Sequence, residues 1–213
     1  ICNLNDAYNK HGIYFFKQGG FNNINNKTLY EDPSSNGAAM SANKAAFGNS
    51  ALNIFITLSA QSPDGQGTTL GYYSPFFDVI VIKKDQIGKF NGTVPHEVGH
   101  FFSLAHTFLG WESEAYDPNI HGNPLNSLIS PDGQISELAD GSNCEIAADK
   151  LCDTNPDYNF GFGWSGCSEY TIPVKDFNGD LIDVDEENFM GYFIGCADYH
   201  FSPMQIEMVK TDH

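Results

Sequence analysis

The chain has no arginine: its ten basic residues are all lysines, set against 27 Asp and Glu for a formal net charge of -17. The isoelectric point falls near 4.4. Without a guanidinium there is no planar fork to grip phosphate or carboxylate in a bidentate way. So acidic a surface repels nucleic acid and anionic lipid, which excludes both as main partners. No apolar run approaches the ~20 residues of a membrane span, and no basic-then-apolar signal segment opens the chain. Its first residues already carry apolar positions at near-helical spacing, so an upstream targeting or pro-segment is expected to lie outside this chain. Also missing are the C-x-x-C pairs of a structural zinc site, although there are five cysteines, four of them between Cys144 and Cys196. Disulfides and a secreted, extracellular location are the reading. Four cysteines permit three pairings, and spacing does not choose among them. Cys2 is the odd one, expected as a buried thiol or as the partner of a segment outside the chain.

What is present is enough chain for a core. The 213 residues are 41% hydrophobic, which suits one domain built as two halves. After a short N-terminal helix, the β-branched and aromatic run at 12–17 predicts a first strand. Residues 38–47 are alanine-rich and helical in propensity. Residues 51–58 are almost continuously apolar, as expected of a central strand covered on both faces. A glycine-rich loop at 62–67 leads into 68–73, which reads as an edge strand, and 78–82 is another buried strand. Thr93 is placed to cap the next helix, with Pro95 in its first turn. From 111 to 179 the chain is rich in Asp, Asn, Gly, Pro and Ser. An irregular stretch of that length calls for staples or bound ions. Order returns at 188–192, and 203–210 predicts a closing helix.

The helix beginning near Thr93 carries His96-Glu97-Val98-Gly99-His100, and His106 follows six residues later. Positions i and i+4 share a helix face, so His96 and His100 can offer nitrogens to one ion with Glu97 beside them. If the helix stops after His100 and the chain turns back, His106 supplies the third protein ligand of an open tetrahedral zinc site. The plain alternative is an amphipathic core helix with hydrogen-bonded histidines. It leaves unexplained why three of the seven histidines stand at ligand spacing, one directly followed by glutamate. Three neutral imidazoles leave the 2+ charge uncancelled and one position open for water, whose pKa falls to about 7 in such sites. Glu97 is then the general base, taking the water proton and returning it to the leaving amine.

These residues resemble the metzincin clan of zinc endopeptidases, and within it the pappalysin-like group. In that clan the motif runs His-Glu-x-x-His-x-x-Gly-x-x-His, above a methionine turn that Asn188-Phe189-Met190-Gly191-Tyr192 matches. The resemblance takes in Leu70-Gly71-Tyr72, residues 78–82, His106-Thr107-Phe108, Asp153-Thr154-Asn155-Pro156 and Phe201-Ser202-Pro203-Met204-Gln205 with Met208. It implies an α/β (α+β) catalytic domain over 1–213: a sheet and active-site helix in 1–106, and a loop-rich lower subdomain with the methionine turn and closing helix in 107–213. The sheet is expected to be mixed and twisted. Met190 becomes an apolar floor beneath the imidazoles, and Tyr192 a donor to the tetrahedral oxyanion. The resemblance also favours Cys167 with Cys196, leaving Cys144 with Cys152, and it implies structural calcium around Asp153 and Thr154. This sequence departs at Ser103, where the clan has glycine. Serine at positive φ costs roughly 1 kcal/mol, and the alternative is a different bend that leaves His106 off the metal.

Asp176, Asn178 and Asp180 alternate oxygen side chains in the manner of a calcium loop, but Leu181 occupies the place where an EF-hand needs glycine. An irregular Ca2+ site and a solvated acidic turn both remain open there. The composite expectation is a secreted zinc endopeptidase acting on proteins or peptides laid along the edge formed by 68–72, and monomeric. Its rivals are a gluzincin-type peptidase, with a downstream glutamate in place of His106, and a zinc-stabilised binding module without catalysis.

Overall fold

The structure, a computed structural model, describes residues 1–48, 50–61, 69–88 and 91–212. It is a mixed α+β chain that divides into two compact units, Ile1–Phe101 and Phe102–His213.

The first unit is built on a three-stranded sheet of order β1-β3-β2, with β1 Asn53–Thr57, β2 Gly71–Ser74 and β3 Val79–Lys83. β1 runs parallel to β3, Asn53 opposite Val79, and β2 runs antiparallel, Gly71 opposite Ile82. Four successive apolar residues, Val79 to Ile82, are fully buried, because the central strand has both faces covered. Leu29, Met40 and Phe55 close over Val79 and Val81. They come from α2 (Lys27–Glu31), α3 (Gly37–Phe47) and β1. Lys44 of α3 is buried, yet its ammonium is matched by the Asp78 carboxylate and by the Asp78 carbonyl at 2.8 Å. α1 (Cys2–Tyr8) is tied to α4 (Thr93–Phe101) by Tyr8, whose hydroxyl donates to the Pro95 carbonyl at 3.1 Å.

Several expectations need correction here. Residues 12–17 form no strand. Asn5 brackets Phe15 instead, its side chain accepting from the Phe15 N–H at 2.7 Å and donating to the Phe15 carbonyl at 2.9 Å, so the groups a ladder would use are taken. β1 is shorter than 51–58 and is an outer strand, not a central one; Ile56 is 48% exposed. Thr93 is the first residue of α4 rather than its cap, and its N–H donates to the Asn91 side-chain oxygen at 2.8 Å. Cys2 is an exposed free thiol, not a buried one. The edge strand forms over Gly71–Ser74, while the loop at 62–67 and Thr68 lie outside the described residues.

The second unit has little regular structure: α5 (Pro118–His121), α6 (Pro203–Thr211) and isolated bridges such as Ile129 with Ile135 and Lys175 with Leu181. An aromatic core replaces periodic packing, with Phe108, Trp111, Tyr158, Phe160 and Phe193 all buried. Trp111 stacks on Tyr158 at 4.9 Å. Disulfides join Cys144 to Cys152 and Cys167 to Cys196, so staples do hold this stretch. α6 opens on a capping box, Ser202 and Gln205 each satisfying the other's main-chain N–H.

Candidate metal centre

α4 presents His96 and His100 one turn apart, their Nε2 atoms 3.1 Å from each other. Glu97, between them in sequence, is 5% exposed. Burial pushes its carboxyl up to about 8, opposed by a hydrogen bond from the Tyr73 main chain. Gly71 makes room for it: a Cβ there would stand 3.1 Å from Glu97 Cγ and 2.8 Å from Ile82 Cδ1. The edge strand's first residue therefore has to be small for the helix to seat its glutamate.

The helix ends at Phe101, and Ser103 adopts φ 64, the left-handed conformation expected at the bend. Its hydroxyl donates to the Asp212 carboxylate at 3.2 Å. His106 follows. Ring nitrogens of His96, His100 and His106, which could hold a metal ion, lie within 4.8 Å of one another, and all three residues belong to one eleven-residue stretch. Among the described residues, no carboxylate or thiol joins such a group, so a glutamate in place of His106 has no support.

Around His106 aromatic rings pack closely. Its ring stacks on Phe108 with centroids 4.4 Å apart and planes 11° apart, and Tyr192 meets it edge-on at 5.0 Å. The Tyr192 segment comes close because Gly161 has no side chain: a Cβ there would fall 2.4 Å from the Tyr192 carbonyl carbon. Met190 is fully buried, and its carbonyl accepts from the Thr107 N–H at 3.3 Å, directly after His106. The methionine turn is itself held by Asn188, whose side-chain oxygen accepts from the Met190 N–H at 2.9 Å. Asn188 and Gln205 exchange amide hydrogen bonds of 3.2 and 3.1 Å, both side chains buried.

The residues expected around calcium make hydrogen bonds within the chain. The two Asp153 oxygens accept from the Ser202 hydroxyl and the Met204 N–H, at 2.7 and 2.8 Å, at the start of α6. Thr154 donates to Asp149 at 3.0 Å. Asp176, fully buried, accepts from the main chain of Ala139 and Asp180, both at 2.9 Å, while Asn178 and Asp180 are exposed on the same turn. Asp176 thus closes a turn.

Two groups of residues escaped the sequence reading. Glu112 sits against His106, its Oε1 3.3 Å from Nδ1, and burial holds its carboxyl above the ordinary range. Glu137 and Asp149 are carboxyls that burial raises to about 8 and about 6, with mutual repulsion adding to the first. Nothing in local spacing marks either pair, since turns rather than a helix or strand period bring them together.

No protein-family model and no curated protein matches the chain. Solved structures do, among them two at 21% identity over 75% of this chain. One is mirolysin in complex with compound 9, TM-score 0.44; the other is Tannerella forsythia mature mirolysin in complex with a cleaved peptide, TM-score 0.43. This chain spans about half of each, 51% and 50% of their lengths. At that degree of likeness, the chemistry of the site rests on its own residues.

Proposed function

We propose that this chain is the catalytic domain of a secreted, zinc-dependent endopeptidase of the metzincin kind, nearest in motif to the pappalysin-like group. The observation that carries the reading is the convergence of three histidine nitrogens within 4.8 Å beside a buried glutamate on the same helix. The donor set fits zinc. Two nitrogens bound at 2.0–2.1 Å around a tetrahedral ion stand about 3.3 Å apart, and the Nε2 atoms of His96 and His100 are 3.1 Å apart. Two nitrogen lone pairs aimed at one point repel unless a cation lies between them or one nitrogen carries a proton to donate to the other. Other divalent ions take imidazole too, so zinc is chosen on the all-histidine donor set and its open position.

Zinc, when bound, polarises a peptide carbonyl and lowers the pKa of water to about 7. His96, His100 and His106 hold the ion as neutral ligands, and Met190 fills the space by the turn without chemistry of its own. Glu97 takes the proton from the attacking water and delivers it to the departing amine. Its buried carboxyl, high in the free protein, is brought down by a neighbouring 2+ charge into the range a base needs. Tyr192 donates to the oxyanion that develops on the scissile carbonyl. A peptide lies extended along β2, which stands at the end of the strand order β1-β3-β2.

The test is Glu97→Ala. Zinc content is expected to stay near one equivalent, while cleavage of a peptide library falls by about 10²–10⁴-fold. Turnover near that of the unaltered protein would sink the assignment. Removing zinc with a chelator abolishes cleavage, and zinc restores it.

A further inference from the structure

We propose that Glu112 is a positioning residue for this metal centre, holding the His106 imidazole with its proton on Nδ1 so that Nε2 is the atom presented to the ion. The assignment rests on the zinc reading above. It comes from how the chain returns on itself after the third ligand. Turn hydrogen bonds from the Leu109 N–H to the His106 carbonyl (3.1 Å) and from the Trp111 N–H to the Phe108 carbonyl (2.9 Å) bring residue 112 back to residue 106. Gly110 makes that return possible. Its φ of +101 is open to glycine, and a Cβ would stand 2.6 Å from Ser130 Oγ and 2.7 Å from Gln134 Cβ.

The Glu112 carboxylate is then held at both oxygens. Oε2 accepts from the Gly110 N–H at 2.7 Å, and Oε1 faces His106 Nδ1 at 3.3 Å. The loop carrying it is fastened in turn, Asp132 donating its N–H to the Gly110 carbonyl at 3.1 Å and accepting from the Ser113 N–H at 3.1 Å. Though exposed, this side chain is tied into a built loop at both oxygens.

A neutral imidazole carries one proton, and an acceptor beside Nδ1 places the proton there, leaving the Nε2 lone pair for a metal. Phe108, stacked beneath the ring, fixes its plane, and Glu112 fixes its tautomer. The division of labour follows from chemistry: an aromatic face restrains tilt but cannot distinguish the two nitrogens. At 3.3 Å the contact is longer than the ~2.7–2.9 Å of a tight charge-assisted bond, so the effect on the metal is graded and not all-or-none.

The experiment compares the unaltered protein with Glu112→Ala and Glu112→Gln, stripped of metal and titrated with zinc against a competing fluorescent chelator. Long-range 1H–15N spectra of the histidine rings, recorded on the zinc-free proteins, read the tautomer independently of metal and of activity. Glu112→Ala is expected to weaken zinc by about 10–100-fold and to move His106 from the Nδ1–H form to a tautomer mixture. Glu112→Gln keeps the side chain's shape and an accepting oxygen, so it gives a smaller loss. It also tests the idea should the alanine variant fail to unfold cooperatively. Unchanged affinity and an unchanged His106 spectrum in both variants overturn the assignment. A different result, no zinc bound by the unaltered protein, overturns the proposed function itself and the role of Glu112 with it.

Discussion

Ser103 is the residue on which the ligand segment turns. A left-handed conformation costs an L-residue about 1–2 kcal/mol, and here it is adopted at φ 64 by a serine whose hydroxyl reaches Asp212. Ser103→Gly removes the strain but also that hydrogen bond, and it gives the unfolded chain more freedom. Its stability in urea is expected within about 1 kcal/mol of the unaltered protein. Ser103→Val, branched at Cβ, is expected to fall roughly 1–2 kcal/mol below the glycine variant. Equal unfolding midpoints for the two would mean that the bend is not left-handed in solution. The bend was legible in the sequence because the ligand spacing requires the helix to stop. Glu112 was not, since a carboxylate six residues from its partner has no helix or strand period to mark it.

At the scale of elements, the second unit depends on cross-links where helices and strands are sparse. Cys167 and Cys196 enclose a sequence separation of 29, whereas Cys144 and Cys152 enclose 8. Loop-closure entropy makes the longer closure worth about 3–4 kcal/mol and the shorter about 2–3. Replacing Cys167 and Cys196 together by alanine is thus expected to lower stability by about 1 kcal/mol more than replacing Cys144 and Cys152. Chemical denaturation of the two double variants measures the difference, and the reverse order would show that local packing outweighs chain entropy here. The buried run of β3 was readable, since only a strand covered on both faces is apolar at every position. The same reasoning failed for β1 and for residues 12–17. An apolar run does not say how many strands a sheet will have, nor that Asn5 will claim the main chain of Phe15.

Across the whole molecule, acidity is the dominant electrostatic fact, with a net charge of -17. Several carboxyls titrate abnormally because they are buried. Glu137 rises from 4.5 to about 8, and Asp149 and Asp157 from 3.8 to about 6. Their folded pKa values lie above the unfolded ones, so the unfolded chain sheds these protons first. Stability accordingly falls as pH rises from about 4 to about 8. Glu97 adds to this in the zinc-free protein, being raised to about 8 as well. Exposed Asp32, Asp85 and Asp140 are lowered by hydrogen bonds and act oppositely, their contribution being lost only as pH drops below the usual Asp range. The zinc-free protein should resist urea better at pH 5 than at pH 8, with a weaker dependence in Glu137→Gln. A higher midpoint at pH 8 would contradict the burial of these groups. No described helix is long and apolar enough to cross a membrane.

The sequence by itself determined three histidines at ligand spacing, the helix that carries two of them and the need for a bend before the third. These follow from i, i+4 geometry and from chain reach, both local properties. It also determined the buried run of β3, from four apolar residues in succession. Tertiary structure alone decided what surrounds them: that Gly71 clears space for Glu97, that Phe108 stacks on His106 with Glu112 beside its Nδ1, and that Asp176 and Asp153 serve main-chain and hydroxyl donors. Those relations depend on turns and close approaches between residues distant in sequence. No periodicity encodes them, and they exist only once the chain has folded.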